Sequence, residues 1–91
     1  MHDYTLLDIF IEWKSGVARI DLLDNDSLKV SININELIFS GVPRLHEWGE
    51  SVSINNLIGP VLTPSGSMKL EIEMQSGDVI ELIAKNIILP R

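Results

Sequence analysis

The sequence predicts an all-β protein, an antiparallel sandwich or flattened barrel of roughly five to seven short strands with no long helix. Three observations carry this. Leu28-Lys29-Val30-Ser31-Ile32-Asn33-Ile34-Asn35 and Met68-Lys69-Leu70-Glu71-Ile72-Glu73-Met74-Gln75 alternate apolar and polar residues at every step, the period of a strand with one face in a core. Turn formers such as Ser15-Gly16, Asp24-Asn25-Asp26 and Ser76-Gly77-Asp78 punctuate the chain at short intervals. No window carries the i, i+3, i+4, i+7 spacing of an amphipathic helix.

The chain has 91 residues, enough for one domain spanning 1–91. Apolar residues make up 45% but aromatics only 5%, so the core must be built from Ile, Leu and Val. This aliphatic content excludes a disordered chain. The absence of cysteine excludes a disulfide scaffold, thiol catalysis and Cys-ligated zinc. A net charge of −6 makes nucleic acid and anionic lipid poor partners. No run of about 18 apolar residues occurs, so no membrane span is expected. Met1-His2-Asp3-Tyr4 lacks a basic leader pattern, and a cytoplasmic location is expected.

A two-residue loop at Ser15-Gly16 sets Trp13 opposite Ala18, Ile11 opposite Ile20 and Glu12 opposite Arg19, aligning apolar rows and placing Trp13 in the core. A three-residue loop at Asp24-Asn25-Asp26 then pairs Leu22 with Leu28 and Ile20 with Val30, completing a meander. Glu36-Leu37-Ile38-Phe39 can extend the third strand past a bend. Ser40 to Glu50 holds Gly41, Pro43 and Gly49, too much punctuation for a long element.

Ser51 to Asn55 alternates again, with Val52 and Ile54 inward, and one helical turn is the most that fits Asn56 to Ile58. Gly59, Pro60, Pro64 and Gly66 then make a loop around Val61 and Leu62. A loop at Ser76-Gly77-Asp78 pairs Met74 with Ile80 and sets Glu73 opposite Glu81, since burial of aliphatic side chains outweighs facing like charges. Ile87-Ile88-Leu89 forms a short last strand. No internal repeat is visible.

Few residues offer chemistry. His2-Asp3 and His46-Glu47 combine metal-ligating types, but their spacing matches no ligand signature, and no metal or other cofactor is expected. Ser51 and Ser53 lie near His46 without the glycine context of a nucleophile elbow. An enzyme is therefore not expected.

Glu71, Glu73 and Glu81 share one outer face. Such a row is a plain solvated surface or one that steers a basic protein. The stretch from Phe39 to Glu50 brings Arg44 and Trp48, residue types enriched at interface hot spots, into a loop that either plugs the core or contacts a partner. Asn33, Asn35 and Asn55, with nearby serines, would form an uncharged polar row if the third and fourth strands lay side by side. That row would suit sugar hydroxyls. Leu6, Phe10, Leu23, Val79 and Ile83 point outward in this reading, which favours a homodimer.

His2-Asp3 before the first strand, Trp13 then Gly16, Pro43-Arg44, Trp48-Gly49 followed by Ser51, and Gln75-Ser76-Gly77-Asp78 resemble the pattern of a small bacterial all-β family of uncharacterised function. In size, acidity and build the chain is also similar to immunity proteins that neutralise bacterial toxins. Neither resemblance assigns an activity or a functional residue. The resulting expectation is a non-enzymatic protein-interaction module, of the kind that inhibits a bacterial toxin, with Trp48, Arg44, Glu71, Glu73 and Glu81 on the partner. The alternatives are a small-ligand or carbohydrate-binding module using the asparagines, or a purely structural homo-oligomer.

Overall fold

The computed structural model describes residues 2–43 and 53–90. Six antiparallel strands form a single sheet: β1 (Thr5–Glu12), β2 (Val17–Leu23), β3 (Lys29–Gly41), β4 (Ile54–Leu62), β5 (Met68–Met74) and β6 (Val79–Ile88). Their order in the sheet is β1-β2-β3-β6-β5-β4. Among the described residues the two end strands meet at one place. Thr5 bridges Ser53, Asp3 N–H donates to the Ile54 carbonyl at 2.9 Å, and Ile54 N–H donates to the Tyr4 carbonyl at 2.8 Å. The sheet is thus a flattened barrel drawn closed at one end of β1 and β4.

The alternation read from sequence faces inward as expected except at Leu28, which the shifted turn leaves 62% exposed. Ile20, Leu22, Ile32, Ile34, Ile54, Leu70, Ile72, Met74, Ile80 and Leu82 are fully buried. At roughly 1.5–3 kcal/mol per buried aliphatic side chain, this row is the main force closing the barrel.

All three hairpin registers differ from the sequence reading by two residues. Observed pairs are Ile11–Ala18 and Ile9–Ile20, Leu22–Val30 and Ile20–Ile32, and Ile72–Ile80 and Leu70–Leu82. A two-residue slip keeps every side chain on its face, so hydrophobic patterning cannot choose between such registers.

Backbone conformation chooses. In the turns closed by Asp24 and Leu28, Thr63 and Ser67, and Met74 and Asp78, the N–H of the first residue donates to the carbonyl of the last. The residue before the last lies at positive φ in each: Ser27 at 60°, Gly66 at 89° and Gly77 at 98°. This is the three-residue hairpin that ends in a left-handed residue. The loops therefore run one residue away from the expected positions, at 25–27 and 75–77. Asp24 reinforces its turn, its Oδ1 accepting from the N–H groups of Asp26 and Leu28, both at 2.9 Å. In the first hairpin Gly16 at φ 70° is the last residue of a four-residue loop that starts at Trp13, and Glu12 pairs with Val17.

A bulge between Leu6 and Asp8 turns Leu6 inward opposite Leu22, buried where the sequence reading had it outside. Glu36, at φ 54°, supplies the bend within β3, and a second bulge follows between Leu37 and Phe39. Residues 56–62, read as a helical turn and loop, instead belong to β4. Bulges between Ile54 and Asn56 and between Ile58 and Val61 take up the irregular spacing. Pro60 is tolerated because β4 ends the strand order and can spare a ladder donor there. Ile87 and Ile88 continue β6, with Ile87 paired to Ile34.

The two halves correspond without sharing identities. Ile20–Ile32 and Asp21–Ser31 in β2–β3 occupy the places of Leu70–Leu82 and Glu71–Glu81 in β5–β6. The β3–β6 ladder is symmetric in the same sense, Ile34–Ile87 matching Ala84–Leu37. Arg19 to Asn35 and Lys69 to Lys85 have no residue in common at matched positions, which is why no repeat is visible in the sequence. Only the apolar class of the core positions is kept, as at Ile20 and Leu70, Leu22 and Ile72, and Ile32 and Leu82.

Candidate functional site

The first hairpin builds the most distinctive surface. Because its loop opens at Trp13, the indole is carried past the core and is 91% exposed. The sequence reading placed this residue inside; the wider loop overturns that. Gly16, at the end of the loop, accepts a 2.8 Å hydrogen bond from Leu37 N–H, tying the hairpin tip to the bend in β3. The bend and bulge break the alternation there, so that the neighbours Ile38 and Phe39 are both exposed.

The result is a groove of about 270 Å³ between the end of β1 and the second half of β3, lined by Ile11, Glu12 and Trp13 on one side and Leu37, Ile38 and Phe39 on the other, with Gly16 and Ser40 at its margins. Glu12 is the one ionisable group in that lining among the described residues. Phe10 on β1 and Val42, just past the end of β3, are also exposed. Phe10 also carries the Arg19 guanidinium 5.5 Å from its ring centre, a favourable cation–ring contact.

The carboxylates singled out from sequence are brought together, but not as a free acidic face. Glu71 and Glu81 lie directly opposite each other, and Lys69 Nζ sits 3.8 Å from one and 3.3 Å from the other. One cation thus offsets two like charges at half-buried positions. Glu73 faces Val79 instead of Glu81, and its Oε1 accepts a 2.7 Å hydrogen bond from Asn55 Nδ2.

The asparagine row is not assembled. β4 is separated from β3 by two strands in either direction round the barrel, so Asn55 stands beside Glu73, away from Asn33 and Asn35. Asn33 pairs with Arg19 and Ile88, and Asn35 pairs with Asn86. His2 Nδ1–H donates to the Asn55 carbonyl at 2.8 Å, and its Nε2 lies 3.5 Å from Asp3 Oδ2. Among the described residues no three His, Asp or Glu side chains gather as a metal site would require. No helix of these residues is long and apolar enough to cross a membrane. Arg44 and Trp48 lie outside the described residues.

The groove at Trp13 was missed because register decides it. Gly16 carried the available signal: read as the left-handed closing residue of a longer loop, it would have released Trp13 from the core. Comparison of the chain with protein-family models, with curated proteins and with solved structures returns no match.

Proposed function

We propose that this protein is a non-enzymatic interaction module that docks a partner protein through the groove at Trp13. The observation that carries this reading is a tryptophan 91% exposed beside Ile38 and Phe39, the most exposed large apolar side chain among the described residues. An indole left in water gives up an apolar contact area that a partner can bury, and tryptophan is over-represented among residues that dominate binding energy. Rigidity supports the same reading, since the hairpin tip is held to β3 by the Gly16–Leu37 hydrogen bond and needs little ordering on binding.

The acidity of the chain, with the resemblance to toxin-neutralising immunity proteins, makes a basic protein the preferred partner and inhibition of a toxin the preferred role. Glu71, Glu73 and Glu81 then act at a distance by steering, an effect that salt weakens. The sugar-binding alternative loses its support, because Asn55 is not beside Asn33 and Asn35.

Partner capture from the native host, compared between the wild type and Trp13→Ala, tests the proposal. The variant should remain folded and lose the captured protein. Undiminished capture by a folded Trp13→Ala variant would rule the groove out.

A further inference from the structure

We infer that the Trp13 groove takes an extended peptide segment carrying basic side chains, laid as an added strand along the spare edge of β3. This rests on the reading of the groove as a protein-docking site and names the occupant.

The first argument is the edge. β2 pairs with β3 only as far as Ala18–Ile34. Beyond that point, among the described residues, the Gly16 carbonyl receiving Leu37 N–H is the backbone contact on that side of β3. From Phe39 to Gly41 the strand is paired with β6 on its other side. The groove runs along the open side, since both Gly16 and Leu37 lie in its lining. An incoming chain can therefore bond main chain to main chain while its alternate side chains drop among Trp13, Ile38 and Phe39.

The second argument is charge. Among the described residues Glu12 lines the groove and no lysine or arginine does, and Glu36 is exposed at the bend beside it. A carboxylate next to two aromatic rings favours an ammonium or guanidinium and disfavours another carboxylate. The molecule makes the same kind of contact within itself, where Arg19 lies over Phe10. A second copy of this chain is the poorer occupant, because it brings a further net charge of −6.

An immobilised library of nine-residue peptides, randomised at every position, is the probe. Bound peptides should be enriched in Lys and Arg alternating with apolar residues, and binding should fall as salt is raised. Glu12→Gln and Trp13→Ala should each weaken the best peptide by about tenfold, and hydrogen exchange at residues 38–41 should slow when it binds. No binder, a preference for acidic peptides, or slowed exchange confined to another strand would overturn the inference. A peptide-free dimer that Trp13→Ala dissolves would overturn it in favour of a second copy. Should partner capture depend on Trp13 while no peptide binds, the strand-addition inference falls and the docking reading stands. If neither depends on Trp13, both fall.

Discussion

Ser31 Oγ donates a 2.7 Å hydrogen bond to Asp21 Oδ1 across the β2–β3 ladder, and this contact is the main reason the Asp21 carboxyl is held below its ordinary pKa. Asp21 is buried on the outer side of β2, where burial alone would raise the value. Arg19 Nε at 3.0 Å and Lys29 Nζ at 3.6 Å add to the lowering. The equivalent place in the other half holds Glu71 opposite Glu81, with Lys69 between them. Each half thus carries a polar clasp on the outside of its central hairpin.

A carboxyl lowered on folding adds stability above its unfolded value, 3.8 for aspartate, and that contribution is lost as pH falls through the lower folded value. Urea unfolding of the wild type should therefore lose stability as pH drops below about 4. Ser31→Ala, which leaves a buried carboxylate short of a partner, should cost about 1–3 kcal/mol near pH 7. Its acid limb should be shallower than that of the wild type. An unchanged limb would show that other carboxylates set the acid transition.

Trp13→Ala should alter stability by no more than about 0.5 kcal/mol, because the indole is solvated. Ile34→Ala, in the core, should cost about 2–5 kcal/mol. Chemical denaturation of the two variants side by side measures this. The emission difference between the wild type and Trp13→Phe should have the wavelength of a water-exposed indole. A large loss of stability in Trp13→Ala would mean that the ring is packed.

At Gly59, φ is 101° and an added Cβ would come within 2.6 Å of the Lys69 carbonyl oxygen and 2.9 Å of Val61 N. Both contacts are with backbone, so Gly59→Ala should destabilise by well over about 1–2 kcal/mol. Gly77→Ala meets nothing within 4 Å and should cost only about 1–2 kcal/mol for its positive φ. Ser27 occupies the position that Gly66 and Gly77 hold in the matching turns. Ser27→Gly should accordingly raise stability by about 0.5–1 kcal/mol, measured as a higher melting midpoint.

Lys69→Gln removes the cation between Glu71 and Glu81. Stability should fall by about 0.5–1 kcal/mol at low salt, and the loss should shrink as ionic strength rises. A deficit independent of salt would point to packing of the lysine stem instead.

Much of the barrel was legible in the residues themselves. The alternation at Leu28–Asn35 and Met68–Gln75 identified both central hairpins, and the buried faces follow it except at Leu28, which is exposed. The bend within β3 at Glu36 was also readable, as a strand pattern that changes phase. β4 was not legible past Asn55, because Gly59 and Pro60 are breakers except on an edge strand, and edge position is not a local property. The Glu71–Glu81 pairing was missed for a related reason. Hydrophobic rows tolerate a two-residue slip, while opposed charges depend on the register itself. Trp13 shares that cause.

The sequence by itself determined an all-β chain, the inward face of the regularly alternating strands, and the presence of tight turns, since these depend on period-two patterning and on neighbours a few residues apart. Tertiary structure decided the strand order, the meeting of Thr5 with Ser53, the partners of each carboxylate, and the open groove beside Trp13. Those depend on which left-handed residue closes each turn and on which distant strands meet, and the energy of a buried aliphatic row is nearly the same for every register that preserves its face.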